Sequence, residues 1–363
     1  YSPIPIPQSL FPITIPMNEQ KNLDLPSKFF NTVLSDETFL YVVKRLLQGL
    51  LTLFLASILC FTIVQLSPGN YLDTLRENPK FSADTIKQFA QQFGLDQPPA
   101  VQYFRWITQI LTHGNFGISF AYQRSVSSLL SERVSATLLM AFASLFLTWA
   151  IALPLGIIAA VNQNRAIDRI LQVISYTGQG FPSFITALFL LIVAQNTSPL
   201  FPVGGMTSIN HNDLSWWGQI LDYSWHLILP TLALSITSFA GLQRLMRGQL
   251  LDVLRQDYIQ TARAKGLSEN RVIYLHALRN AINPIITLLG FEFASLLSGS
   301  FIAENFFNWP GLGRLILEAV QNKDLYLVMA SLMMGAFMLI VGNLLADLLL
   351  KAVDPRIKLE NLK

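Results

Sequence analysis

The chain has 363 residues, of which 52% are hydrophobic and 13% charged, against about 25% charged in an ordinary soluble domain. Several windows of twenty or more residues carry no charge and are long enough to cross a hydrocarbon core of roughly 30 Å as helix, so a soluble globular enzyme is excluded and an all-α polytopic membrane protein is expected. The net charge of +3 decides little, and the single cysteine, Cys60 in an apolar run, excludes an intrachain disulfide or a cysteine-based metal site.

Residues 1–43 form a Pro-rich N-terminal extension. Six prolines fall in its first 26 residues, which prevents a helix. The stretch lacks the basic start and apolar core of a secretory signal. Disorder is expected to about residue 35. The sequence starts at Tyr1 and Met17 is its first methionine, so a fragment or an early start is weighed equally with a functional tail.

Lys44 and Arg45 lead into the first span, 44–66, which is uncharged from residue 46 onward and ends in the turn residues Ser67-Pro68-Gly69-Asn70. Residues 67–133 are polar and are expected to form an extramembrane subdomain, with helix-like stretches at 82–93 and 101–111. A membrane-embedded core at 134–350 then holds spans at about 134–161, 170–194, 223–243, 284–303 and 325–346, which with the first make six. Pro154 should kink the second span. Gly178-Gln179-Gly180-Phe181-Pro182 should break or sharply bend the third. Residues 195–222 hold no Lys or Arg, and Trp216-Trp217 suits a headgroup-level anchor.

Between spans four and five lies a basic loop, 247–283, whose polar centre carries Arg255, Arg263, Lys265, Arg271 and Arg279. Leu251, Leu254, Tyr258 and Ala262 recur at three- and four-residue steps and predict one apolar helical stripe. Gly266 should end that helix in the left-handed conformation. Ser268 then suits an N-cap, with Glu269 in the first turn of a second helix. Helix, glycine bend and helix together predict a docking element for a soluble motor. Basic residues cluster in this loop, before the first span, after the second and in the tail 351–363. By the positive-inside rule the loop and both termini are expected in the cytoplasm.

Catalytic chemistry has no sequence support. No GxxxxGK[ST] phosphate loop and no GxSxG elbow occurs. Gly311-Leu312-Gly313 follows Trp309-Pro310 and is expected to be a turn before a helix. His113, His211, His226 and His276 show no metal-ligand spacing. Any nucleotide that drives transport must therefore bind another chain. Glu292 lies inside the fifth span, where a carboxylate is costly and should face a cavity or a partner. Either it lines a polar path, with Ser295 and Ser298 beside it, or it holds a helix interface; the small residues around it default to packing.

The stretch YIQTARAKGLSENRVIYLHALRNAINP at 258–284 resembles the cytoplasmic loop of binding-protein-dependent ABC importer permeases, in the dipeptide/oligopeptide/nickel branch. That family's general motif is EAAxxxG followed by IxLP. Gln260, Thr261 and Ala262 stand at the EAA places and Gly266 at the glycine. His276, Leu278 and Arg279 fall on the IxLP places, where only the leucine matches. FGLDQPPAVQYFRW, ERVSATL, FPSF, HLILPTLAL, ENFFNWPGLGRL and DPRIK extend the likeness in order over 40–357. Asn70 stands where Asp is more usual.

The resemblance implies the B-type member of a pair of homologous permease subunits in a bacterial inner membrane. Two cytoplasmic ATPases, which bind the ATP and Mg, would dock on the pair, and an extracytoplasmic binding protein would deliver peptide near 67–133. No cofactor on this chain and no nucleic acid is implied. Tyr258, Gln260, Thr261, Ala262, Arg263, Ala264, Lys265, Gly266 and Leu267 would enter the ATPase groove. The competing class is a secondary transporter driven by an ion gradient, which would typically show internal repeats; none is evident. A third is a membrane scaffold. The residues do not choose among dipeptide, oligopeptide, nickel or another small solute.

Overall fold

The computed structural model describes residues 36–76 and 81–353. The described residues are predominantly helical; their one β-type pairing is an isolated bridge, Ile118 with Ser125. The expected all-α architecture is therefore present. The Pro-rich segment 1–35 and the tail 354–363 lie outside the described residues.

Helix α1, Asp36–Leu66, begins earlier than the expected first span, so 36–43 are helical and not part of an extended N-terminal segment. Most of its apolar side chains stay exposed, among them Leu47, Leu50, Phe54 and Leu59. That surface suits hydrocarbon and not water. Its start is fixed to the last helix of the chain, α13 (Leu325–Val353). Tyr41 donates to Asp347 at 2.7 Å, Arg45 pairs with Asp347 at 3.2 Å, and Lys351 donates to Thr38 at 2.6 Å.

The subdomain after α1 holds α2 (Tyr71–Arg76), α3 (Ala83–Phe93) and α4 (Pro99–His113). Ser82 caps α3 by accepting from the Thr85 N–H at 3.2 Å, and a proline opens α4, where its missing N–H costs nothing. An aromatic core roots the subdomain on the spans. Phe93, Tyr103, Trp106 and Phe120 bury with Phe61 of α1 and with Leu325 and Met329 of α13. The Phe120 ring lies 4.8 Å from Phe93 and 5.2 Å from Tyr326.

Helix α5, Val126–Val161, starts eight residues before the uncharged run because Ser125 supplies an N-cap. It runs beside α8, Trp216–Leu254. At 39 residues α8 is roughly 58 Å long, well beyond a hydrocarbon core of roughly 30 Å, so its ends project. The expected fourth span, 223–243, is only its middle. The two backbones approach closely at Gly156. A Cβ there would stand 2.6 Å from the Met246 Cβ and 2.8 Å from the Gln243 carbonyl oxygen.

The third expected span is sharply bent, as its Gly178–Pro182 stretch led one to expect. Helix α6, Ala166–Gly180, and α7, Ser183–Asn196, meet at 100°. Phe181 is extended, as a residue before proline prefers, and Pro182 then opens α7. Helix α11, Asn283–Phe306, and α12, Leu312–Gln321, complete the bundle with α13. Among the described residues four helices are each long and apolar enough to cross a membrane, and six spans result if each of two bent pairs counts as one.

Buried apolar side chains form one cluster where α5, α7, α8 and α11 meet near Trp309, and another around the second half of α8. The second cluster anchors the polar loop between α8 and α11.

Candidate functional site

The loop begins where α8 ends. Arg255 caps it and Gln256 turns extended (φ −72°, ψ 148°). Helix α9, Asp257–Ala264, follows, with Asp257 in its first turn and Arg263 in its last, both favourable to the helix dipole. The break at 255–256 corrects the expectation of one apolar stripe. Leu251 and Leu254 belong to α8, whereas Tyr258 and Ala262 belong to α9, and Tyr258 is exposed. Ile259 is the residue that roots α9. It is fully buried, with Ala262, against Leu250, Val272, Ala277 and Ile285.

Gly266 has φ +77°, in the left-handed region. A Cβ there would meet nothing within 4 Å, so backbone conformation and not crowding is what calls for glycine. The Gly266 N–H donates to the Arg263 carbonyl at 2.9 Å and the Leu267 N–H to Ala262 at 3.4 Å, which satisfies carbonyls at the end of α9.

Helix α10, Glu269–Ala281, runs on with a π-helical stretch at Val272–Ala277. Ser268 occupies its N-cap position but makes no capping bond through its side chain. The side chain of Glu269 turns instead to α9. Arg263 grips it with Nε at 3.1 Å and Nη2 at 2.6 Å. The guanidinium holds the Glu269 carboxyl below its ordinary range. A second strut joins the helices where Asn280 donates to the Tyr258 hydroxyl at 2.9 Å. Gln260, Thr261, Arg263, Ala264, Lys265 and Gly266 face solvent, and Leu267 is half-buried. Two short helices are thus braced into a V, with a polar and basic outer edge and an apolar root.

The root continues into the bundle. Arg247 of α8 makes a two-pronged bond to the fully buried Asp168 of α6, at 2.7 and 2.8 Å. Asp168 also accepts from the Asn164 N–H and from Gln172. One helical turn earlier on α8, Gln243 accepts from Ser175 at 2.6 Å. Motion of the V and the end of α8 would therefore be felt by α6.

Glu292 does not join this group. It lies half-buried in α11, on the side where Ser238 of α8 approaches. Ser295 is exposed, and the side chain of Ser298 lies outside the described residues.

Three carboxylates at the opposite end of the bundle, Glu304 and Asp324 buried and Asp222 partly so, are not singled out by the sequence. Glu304 accepts from Thr137 Oγ1 at 2.7 Å and from the Arg314 N–H at 3.0 Å. Asp324 accepts from Ser119 Oγ at 2.6 Å and from the Ala121 N–H at 3.0 Å. Asp222 accepts from the Ser208 N–H and hydroxyl at 2.9 and 2.6 Å, and His211 Nδ1 lies 2.7 Å from it. Glu304 ties α11 to α5, Asp324 ties the turn before α13 to the turn before α5, and Asp222 ties α8 to the loop just before it. An acidic residue at the border of an apolar run was the available signal.

Comparison with known proteins settles what such a chain is. Residues 152–359 match the family described as binding-protein-dependent transport system inner membrane component, and residues 38–141 match its N-terminal companion model. The chain belongs to that family. It is 38% identical over 319 residues to the oligopeptide transport system permease protein AppB of Bacillus subtilis, covering 88% of this chain and 99% of that one. The glutathione transport system permease protein GsiC of Escherichia coli K12 is 37% identical over 321 residues, covering 88% and 98%. A chain of the MetNI methionine ABC transporter, in an inward-facing crystal form, shares the fold at a TM-score of 0.51 and 17% identity, over 62% of this chain and 97% of that one.

This permease is thus an inner-membrane subunit of the ABC importer class, in the peptide/nickel family, as the loop and the ordered motifs led one to expect. Its polytopic helical architecture agrees, with the number of spans between four and six according to how the bent pairs are counted.

Proposed function

We propose that this permease forms half of a translocation path for short peptides or a similar small solute, and that separate ATPases drive it through α9 and the bend at Gly266. One observation carries the reading. The V of α9 and α10 is joined by Arg263–Glu269, is rooted in the same apolar cluster as the end of α8, and presents its polar edge outward. A projecting element rooted on a long helix is what a partner needs to move that helix. Tyr258 and Gln260–Leu267 are the contact residues in this reading. The relatives' printed substrates, oligopeptide and glutathione, favour a peptide-like solute.

The remaining parts follow the same reading. A second homologous permease pairs with this one, two ATPases carry the ATP and Mg, and an extracytoplasmic binding protein delivers solute near the subdomain after α1. This chain hydrolyses no ATP itself. Both termini and the V lie in the cytoplasm, in keeping with the basic residues at that end. Glu292, with Ser295 and Ser298, stands as a candidate for the path. Its proximity to Ser238 favours a role in the packing of α11 on α8.

The test is reconstitution. Proteoliposomes holding the permease pair and its ATPases should take up peptide only with ATP and the binding protein. Uptake driven by a proton gradient in the absence of any ATPase would replace this reading with a secondary transporter.

A further inference from the structure

A cavity of about 290 Å³ lies between α1, the start of α13 and the subdomain. It is at the lower end of the size range of ligand pockets, roughly 300–1,000 Å³. Its two ends differ in chemistry. Cys60 and Val64 of α1 and Val328 and Leu332 of α13 make an apolar wall. Gln65, Asn70, Gln102 and Lys323 make a polar end. That polar end sits where α1 stops, at Leu66, and α13 starts, at Leu325. The change from apolar to polar therefore coincides with the change expected at a membrane boundary.

Lys323 supplies the charge. It follows α12 in a left-handed conformation (φ +53°), which turns its side chain back toward the end of α1. The absence of a side chain at Gly69 makes the room, since a Cβ there would stand 2.5 Å from Lys323 Nζ. The neighbouring carboxylate, Asp73, is already paired with Arg76 at 2.6 Å and accepts from the Asn70 N–H at 2.8 Å. Among the described residues the ammonium of Lys323 has no ion pair, and the three charges Lys323, Arg76 and Asp73 leave a local excess of one positive charge. An anion is thus favoured at this end of the cavity.

The rim says how the ligand enters. Ile63 and Val320 line the cavity and are 59% and 53% exposed. Ile63 continues the exposed apolar face of α1, and Val320 of α12 faces it across the cavity mouth. Such a rim opens toward hydrocarbon, and a water-borne anion has no use for it.

We propose that this cavity binds one anionic phospholipid of the surrounding leaflet, with an acyl chain along Cys60, Val64, Val328 and Leu332 and the phosphate at Lys323. The lipid bridges the subdomain to the ends of α1 and α13, filling the space that the aromatic core beside it leaves open. The inference goes beyond the coupling scheme and does not depend on it.

The experiment uses the assembled importer, purified in neutral detergent, with phosphatidylglycerol as the probe and phosphatidylcholine and inorganic phosphate as controls. Native mass spectrometry reports retained lipid. Alkylation of Cys60 by N-ethylmaleimide, read from the intact mass of this chain, reports occupancy of the apolar wall. Phosphatidylglycerol should be retained and should slow Cys60 alkylation, with phosphatidylcholine weaker and phosphate without effect. Lys323→Gln should weaken phosphatidylglycerol binding about fivefold, as expected for one lysine at an anionic lipid surface, and leave phosphatidylcholine unchanged. Unchanged melting and ATP-dependent uptake in that variant exclude a folding defect and keep the result separate from the coupling reading. Val64→Phe should abolish retention by filling the wall; if it fails to fold, Lys323→Gln decides. Equal phosphatidylglycerol binding by wild type and Lys323→Gln, equal protection by both lipids, or protection by phosphate alone overturns the proposal.

Discussion

Glu304 and Thr137 lie 167 positions apart and meet at 2.7 Å in a fully buried hydrogen bond. Thr137 Oγ1 donates to the carboxylate and accepts from the Leu312 N–H at 2.8 Å, which opens α12. The Trp309 indole N–H donates to the Ala136 carbonyl one residue away, at 3.0 Å. The segment ENFFNWPGLGR is therefore closed on α5 by bonds from both of its ends. Its glycines answer to this closure. A Cβ at Gly311 would overlap the Glu304 carboxyl group, and one at Gly313 would come within 2.7 Å of the Phe301 Cα.

Thr137→Val removes a donor from Glu304 and an acceptor from Leu312 without changing volume. Leaving a buried polar group unsatisfied costs about 1–3 kcal/mol, so a lower melting temperature in thermal unfolding of the purified permease is expected. Thr137→Ser should keep most of the stability. Gly311→Ala should be worse than Thr137→Val, because it forces the carboxylate away from all its donors at once. Equal melting of Gly311→Ala and wild type would contradict the closure.

At Gly266 the expected effect is on coupling. A β-branched residue in the left-handed region costs roughly 1–2 kcal/mol, and open space around the site offers no compensating contact. Gly266→Val should leave the permease in the membrane and uncouple ATPase activity from uptake. Gly266→Asn should be milder, since Asn tolerates that conformation. The readouts are ATP hydrolysis and solute uptake in one proteoliposome preparation. Wild-type stoichiometry in Gly266→Val would count against coupling through the bend.

The sequence revealed the bend but not the break before it. Glycine at a positive φ is a local requirement, so Gly266 was legible. The break at Arg255–Gln256 carries neither glycine nor proline, and the pull of Ile259 into the cluster around Leu250 and Val272 makes it. Likewise the GQGFP stretch signalled an interruption. Its 100° angle is accompanied by packing of α6 on α8 through Asp168–Arg247 and Ser175–Gln243, none of which neighbours the break in sequence. In the sequence Glu304 falls just past the expected fifth span, 284–303, and Gly311-Leu312-Gly313 is a turn before a helix. Only their contact, made in space, explains both.

Arg263 and Glu269 supply a more local test. Both are substantially exposed, at 42% and 55%, so solvent screening limits the pair to about 0.2–1 kcal/mol of stability. A double-mutant cycle with Arg263→Ala and Glu269→Ala should give a coupling in that range. The effect on transport should be larger, since the pair braces the V. Exchanging the charges, with Arg263→Glu and Glu269→Arg together, should recover part of the uptake lost in either single reversal. Glu269 has a lowered folded pKa. Its contribution is therefore present above the unfolded value near pH 4.3 and is lost as pH falls through the folded value. Hydrogen-exchange protection across 257–271, taken relative to the intrinsic exchange rate at each pH, should thus be constant near neutrality and fall only in acid.

Asp324 should respond to pH in the opposite sense. Burial pushes its carboxyl above the ordinary range, although Ser119 and the backbone N–H groups of Ala121 and Leu327 donate to it. A raised folded pKa means that its contribution is complete below the unfolded value near pH 3.9 and falls as pH rises through the folded value. At neutral pH the donors offset that loss. Ser119→Ala removes the closest of them, at 2.6 Å, and leaves the buried charge less well satisfied. Its melting temperature should therefore fall below that of wild type by more at pH 7 than at pH 4, where the carboxyl is closer to neutral. An equal deficit at both values would mean that Ser119 supports the loop by packing and not by holding the Asp324 charge.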